Sequence, residues 1–65
     1  MFSVKKFKLL LIDSGMNIKE FAEVSGVSAV AIGQILNHKA KPTLPTVGKI
    51  AKGLKVSAAE LLTDE

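Results

Sequence analysis

The stretch Asn17-Ile18-Lys19-Glu20-Phe21-Ala22-Glu23-Val24-Ser25-Gly26-Val27-Ser28-Ala29-Val30-Ala31-Ile32-Gly33-Gln34-Ile35-Leu36 decides how this chain folds. Its first part sets Ile18, Phe21 and Ala22 at the i, i+3, i+4 spacing of one helix face, with Asn17 as the cap. Gly26 ends that run, because glycine reaches the left-handed backbone conformation of a sharp interhelical turn without steric penalty. Val27 follows as an apolar plug. Ser28 then offers a hydroxyl to the free backbone N–H groups of a second helix, which buries Ile32, Ile35 and Leu36. Ser25 is the one inconsistency, a polar residue where the spacing from Phe21 and Ala22 asks for an apolar one.

Upstream, Val4, Phe7, Leu10 and Leu11 share one face of a helix spanning Ser3 to Ser14, with Ser3 as its cap and Gly15 as its stop. Leu9 and Ile12 form a second apolar stripe on the opposite side, with Phe2 nearby. Either the last helix of the domain covers that stripe, or it is a contact with a second copy. Met16 precedes the Asn17 cap and packs beneath the second helix.

Downstream, the segment from Asn37 to Thr43, with Pro42 inside it, reads as a loop. Thr43 caps a fourth helix that runs to about Leu54, with Pro45 tolerated in its first turn. Its inward face is Leu44, Val47, Ile50, Ala51 and Leu54. Ser57 stands three residues before Glu60, the spacing of a capping box, and opens a short fifth helix through Leu61 and Leu62. Gly33, Gly48 and Gly53 fall inside helices, where each costs about 1 kcal/mol relative to alanine. At Gly53 that loosens a helix end. At Gly33 and Gly48 the alternatives are tolerated drift or the close approach of another backbone. The expectation is an all-α, compact five-helix domain occupying residues 1–65 as a single unit. Its central pair is the helix-turn-helix layout, whose second helix can lie in the major groove of DNA.

Composition narrows the function. A chain of 65 residues has room for one small core and buries roughly 60% of its unfolded surface. There is no cysteine, and the lone histidine, His38, has no partner for a metal, so no cofactor is expected. Apolar residues make up 48%, too many for a disordered tail. Yet no apolar run approaches the roughly 18 residues of a membrane span. The short run Leu9–Ile12 follows three lysines, but no small-residue cleavage site comes after it. The reading is a soluble protein of the cytoplasm, associated with the nucleoid. It is not read as an enzyme. His38 has no carboxylate close in sequence, the paired carboxylates Asp64 and Glu65 lie in the tail, and nothing resembles a glycine-rich phosphate loop.

The formal net charge of +3 suits a polyanionic partner. All nine basic residues are lysines. Lysine neutralises phosphate as a point charge but lacks the planar fork that reads guanine bidentately.

From about Phe7 to Leu62 the chain resembles the phage repressor and Cro-type helix-turn-helix proteins. Met16-Asn17-Ile18-Lys19-Glu20-Phe21-Ala22 looks like that family's second helix, and Gly26-Val27-Ser28 like its turn. Ile32 and Ile35 match buried positions of its recognition helix. Pro42-Thr43-Leu44 and Lys49-Ile50-Ala51-Lys52 resemble its fourth helix, and Val56-Ser57-Ala58-Ala59-Glu60-Leu61-Leu62 its fifth. The departures fall where function lies. Ile18 stands where many members have glutamine, and Ala29, Val30, Ala31 and Gly33 stand where polar side chains are common. Lys55 occupies a place where the family often has glycine, so a left-handed backbone there carries strain.

The resemblance implies a small transcriptional regulator that binds double-stranded DNA sequence-selectively, as a homodimer on half-sites about 34 Å apart or a multiple of that. Ser28 and the neighbouring N–H groups then hold a phosphate. Ala29, Val30 and Ala31 touch thymine methyls, and Gln34 pairs with adenine. Asn37, His38, Lys39 and Lys41 grip the backbone from the following loop, and Asn17 and Lys19 add contacts from the second helix. With no arginine, the shape of A·T-rich sequence carries much of the selectivity. The rival reading is a protein-interaction module that uses the same fold without DNA, its Ala-Val-Ala surface packing on a partner protein.

Overall fold

The computed structural model describes residues 1–63. Four α-helices, α1 (Val4–Ser14), α2 (Ile18–Ser25), α3 (Ala29–Leu36) and α4 (Leu44–Leu54), are followed by a 3-10 helix, Ala58–Leu61. The described residues contain no strand beyond an isolated antiparallel bridge between Phe2 and Leu62. The fold is all-α, as expected, but the fifth element is a 3-10 helix.

Capping chemistry accounts for most of the boundaries. The Ser3 hydroxyl accepts from the Lys6 N–H at 3.1 Å, and Gly15 closes α1 at φ 74°. Asn17 and Glu20 form a reciprocal capping box. Asn17 Oδ1 accepts from the Glu20 N–H at 2.8 Å, and Glu20 Oε1 accepts from the Asn17 N–H at 2.9 Å. The predicted box at Ser57 and Glu60 does not form. There the Ser57 hydroxyl accepts from the Ala59 N–H, and the Glu60 N–H donates to the Ser57 carbonyl in the tighter 3-10 closure. Thr43 precedes α4, but its hydroxyl pairs with that of Thr46 at 3.0 Å and bonds no backbone N–H.

The core gathers Phe7, Leu11, Phe21, Val27, Ile32, Ile35, Val47, Ile50, Ala51 and Leu61. Among the expected inward residues, Val4, Leu10, Ala22, Leu36 and Leu54 are only half-buried, and Ile18 and Leu44 are exposed. Ile18 stands at the first position of α2, and Leu44, 88% exposed, at the first position of α4. Both keep the helical register, but a first turn overhangs the packed region.

Phe2 lies on the inner side of α1 instead of near its outer stripe. Its ring meets Phe7 edge-on at 5.8 Å, and Phe7 in turn meets Phe21 at 5.7 Å. Leu9 and Ile12 stay 53% and 67% exposed, so the terminal element does not cover them.

Ser25 and Gly53 resolve each other. Ser25 is buried, and its hydroxyl accepts from the Val27 N–H at 3.2 Å, so the turn satisfies the polar atom. A Cβ on Gly53 would stand 2.8 Å from both Ser25 Cβ and the Phe21 ring. Helices α2 and α4 approach so closely there that only a small residue facing a glycine fits. Within the chain, the close approach of another backbone falls at Gly53, which the sequence offers only as a loosened helix end. A Cβ on Gly33 or Gly48 would meet no heavy atom within 4 Å.

Candidate nucleic-acid interface

The turn between α2 and α3 is built as its residues dictate. Gly26 adopts φ 79°, and its N–H donates to the Ala22 carbonyl at 3.0 Å, closing α2. Val27 drops into the core. The Ser28 hydroxyl oxygen accepts from the Ala31 N–H at 3.1 Å, which starts α3. That bond uses the oxygen as an acceptor and leaves the hydroxyl proton available to an incoming anion. The N–H groups of Ala29 and Val30 stand in the first turn, where a helix has no internal acceptors for them.

Helix α3 has an inner and an outer face with Ala31, Gly33 and Leu36 half-buried between them, and Ala31, expected on the outer face, packs against the core. Ile32 and Ile35 face the core at 0% and 2% exposure, while Ala29, Val30 and Gln34 face outward. Val30 is 71% exposed, an apolar residue on the surface of an otherwise well-packed helix. The outward face carries no formal charge and one amide side chain, that of Gln34.

The segment after α3 is more ordered than its loop composition suggests. The His38 N–H donates to the Ile35 carbonyl at 3.1 Å, and the Lys39 N–H reaches back to the Gln34 carbonyl at 2.8 Å. These are the two bonds of a Schellman closure, and His38 occupies its left-handed position at φ 61°. The Ala40 N–H shares the Gln34 carbonyl at 3.3 Å. Asn37, His38, Lys39 and Lys41 are all exposed, on a backbone pinned to the end of α3. Lys55 closes α4 in the same way, at φ 61°, as the missing glycine predicted.

Asn17 and Lys19 are exposed at the start of α2. The Asn17 carbonyl oxygen is committed to the capping box, so only its amide protons remain for a ligand. The start of α4, which the sequence offers only as a capped first turn, is open as well. With the Thr43 and Thr46 hydroxyls paired to each other, the Leu44 and Thr46 N–H groups have no side-chain cap. The pair Thr43 and Thr46, directly after Lys41 and Pro42, was the signal that could have marked it. No group of three or more potential metal ligands occurs among the described residues.

A family model described as helix-turn-helix matches residues 7–61. The HTH-type transcriptional regulator SutR of Escherichia coli (strain K12) is 43% identical over 42 residues, an overlap of 65% of this chain and 24% of that protein. The chain therefore spans about a quarter of the length of that relative. No solved structure matches the chain. With a family match over most of its length, the chain belongs to the helix-turn-helix family of phage-repressor and Cro type.

Proposed function

We propose that the chain binds double-stranded DNA as a transcriptional regulator, with α3 in the major groove. The observation that carries this reading is the outward, nearly uncharged face of Ala29, Val30 and Gln34 beside the exposed lysines Lys39 and Lys41. Ser28 and the first-turn N–H groups of α3 take one phosphate, and Asn37, Lys39 and Lys41 take the backbone beyond it. The amide of Asn17, the ammonium of Lys19 and the uncapped start of α4 extend the grip. Gln34 reads adenine, while Ala29 and Val30 touch thymine methyl groups. Base readout this sparse leaves selectivity to groove shape and to A·T-rich deformability. Two copies occupy two half-sites about 34 Å apart or a multiple of that, and residues 1–65 act as one DNA-binding unit in the cytoplasm, at the nucleoid. The relative's name, a transcriptional regulator, supports the reading.

A second reading follows from the exposure of Val30. An apolar residue 71% exposed between two alanines can seat a partner helix as readily as a thymine methyl. Salt dependence separates the two. Log affinity for duplex DNA falls with log salt by about 0.9 per phosphate neutralised. Removing Lys39 and Lys41 together flattens that slope by roughly 2. Gln34→Ala changes sequence preference and leaves the slope intact. Absence of salt-sensitive duplex binding, or strong preference for a guanine-rich site, overturns the DNA reading.

A further inference from the structure

Between the N-terminal segment and the loop after α3 lies a groove of about 550 Å³. We propose that it is a binding site for a small amphipathic anion, an apolar body with one carboxylate, and that its occupancy opposes DNA binding. The volume falls within the roughly 300–1,000 Å³ of small-molecule sites. The apolar lining comes from Met1, Phe2 and Val4 on one side and from Ala40 and Pro42 on the other.

Both walls are held by backbone bonds. Met1 and Thr63 exchange N–H···O bonds at 3.1 and 2.8 Å, and the Ser3 N–H donates to the Leu61 carbonyl at 2.7 Å. Phe2 is further fixed edge-on against Phe7. The opposite wall hangs from the Gln34 carbonyl through Lys39 and Ala40. The backbone of both walls is therefore set before binding, which leaves the exposed Met1 and Lys41 side chains to be ordered by the ligand.

Charge selects the ligand. Lys41 lines the groove with His38 beside it, and no acidic side chain is among the described lining residues. An ammonium at the edge of an apolar trough pairs with a carboxylate while the ligand's hydrocarbon covers the trough. The coupling to DNA rests on the function proposed above, in which Lys41 neutralises a phosphate. A carboxylate on Lys41 competes with that phosphate, and linkage makes the antagonism mutual.

The test is a titration of isotope-labelled protein with octanoate, below its micellar concentration, followed by NMR and repeated with octanol. Saturable shifts confined to the surroundings of Phe2, Val4, Ala40 and Lys41 are expected, with octanol binding about tenfold more weakly. Lys41→Gln should bring octanoate down to the level of octanol. Shifts that do not saturate, that centre on the exposed Leu9 and Ile12, or that are equal for the two probes overturn the site. In a separate duplex titration, octanoate weakens DNA binding by the wild type and not by Lys41→Gln. Octanoate binding with unchanged DNA affinity overturns the antagonism. Octanoate binding by a protein that takes up no duplex at all refutes the DNA reading and leaves the ligand site standing.

Discussion

Replacing Gly53 with alanine should destabilise the fold, although the same change one turn and more upstream, at Gly48, should stabilise it. Both glycines lie inside α4. In each, alanine recovers about 1 kcal/mol of helix propensity. At Gly48 nothing lies within 4 Å of the new methyl, so the gain stands. At Gly53 the methyl meets Phe21 Cε1 and Ser25 Cβ at 2.8 Å and Ser25 Cα at 3.1 Å. Ordinary carbon contacts sit at about 3.5–4.0 Å, so roughly 1 Å must be found. Phe21 is fully buried, and the Ser25 atoms are backbone or fixed to it, so neither can swing aside. Overpacking of this kind costs about 1–3 kcal/mol, and the anchored neighbours put Gly53→Ala near the upper end. Subtracting the propensity gain leaves a net loss of about 2 kcal/mol. In a domain of this size that lowers Tm by roughly 8–16 °C, whereas Gly48→Ala raises it by about 4–8 °C. Thermal unfolding followed by circular dichroism measures both. A Gly53→Ala protein as stable as the wild type would refute the close α2–α4 approach.

Other consequences are simpler to state. Lys55→Gly and His38→Gly each relieve a left-handed side chain, so either should gain up to about 1 kcal/mol in denaturant unfolding; a loss in both would argue against the two Schellman closures. Asn17→Ala removes the capping box of α2 and should cost about 1 kcal/mol, measured as a shift of the urea midpoint at constant slope. Gly33→Ala meets open space within the protein and should stabilise it by about 1 kcal/mol. If α3 lies deep in a DNA groove, the same methyl should weaken duplex binding, and unchanged affinity would place the helix further out. Leu9→Lys with Ile12→Lys should leave Tm within a few degrees, because both side chains already face solvent.

The helix starts and the interhelical turn were legible because they rest on local chemistry. Ser3, Asn17 and Ser28 each cap the helix assigned to them, and Gly26 takes the turn conformation assigned to it. What escaped depends on where elements end relative to their neighbours. Leu44 fits the inward register of α4 and is nonetheless almost fully exposed, since periodicity gives direction and says nothing about whether a neighbour is present. Ser25 looked like a flaw and Gly53 like a frayed end. Their meaning lies in the contact between them, across a sequence distance that no helical period spans. The fifth element failed on hydrogen-bond geometry, because the Ser57 hydroxyl serves Ala59 and the capping box needed Glu60. At the candidate interface, exposure of Ala29, Val30, Gln34, Lys39 and Lys41 was readable from the helical pattern and charge. The left-handed backbone of His38 was not, because histidine gives no signal for it.

The pairing of Met1 with Thr63 brings the entry and exit points of the described chain side by side. Such a unit can be spliced into a surface loop of an unrelated host without prying that loop apart. Conversely, a short flexible splice from residue 63 back to residue 1 should close the polypeptide into a ring. New ends could then be opened in another surface loop, so that the gene starts at a different helix while the helices keep their cyclic order and the shape they make.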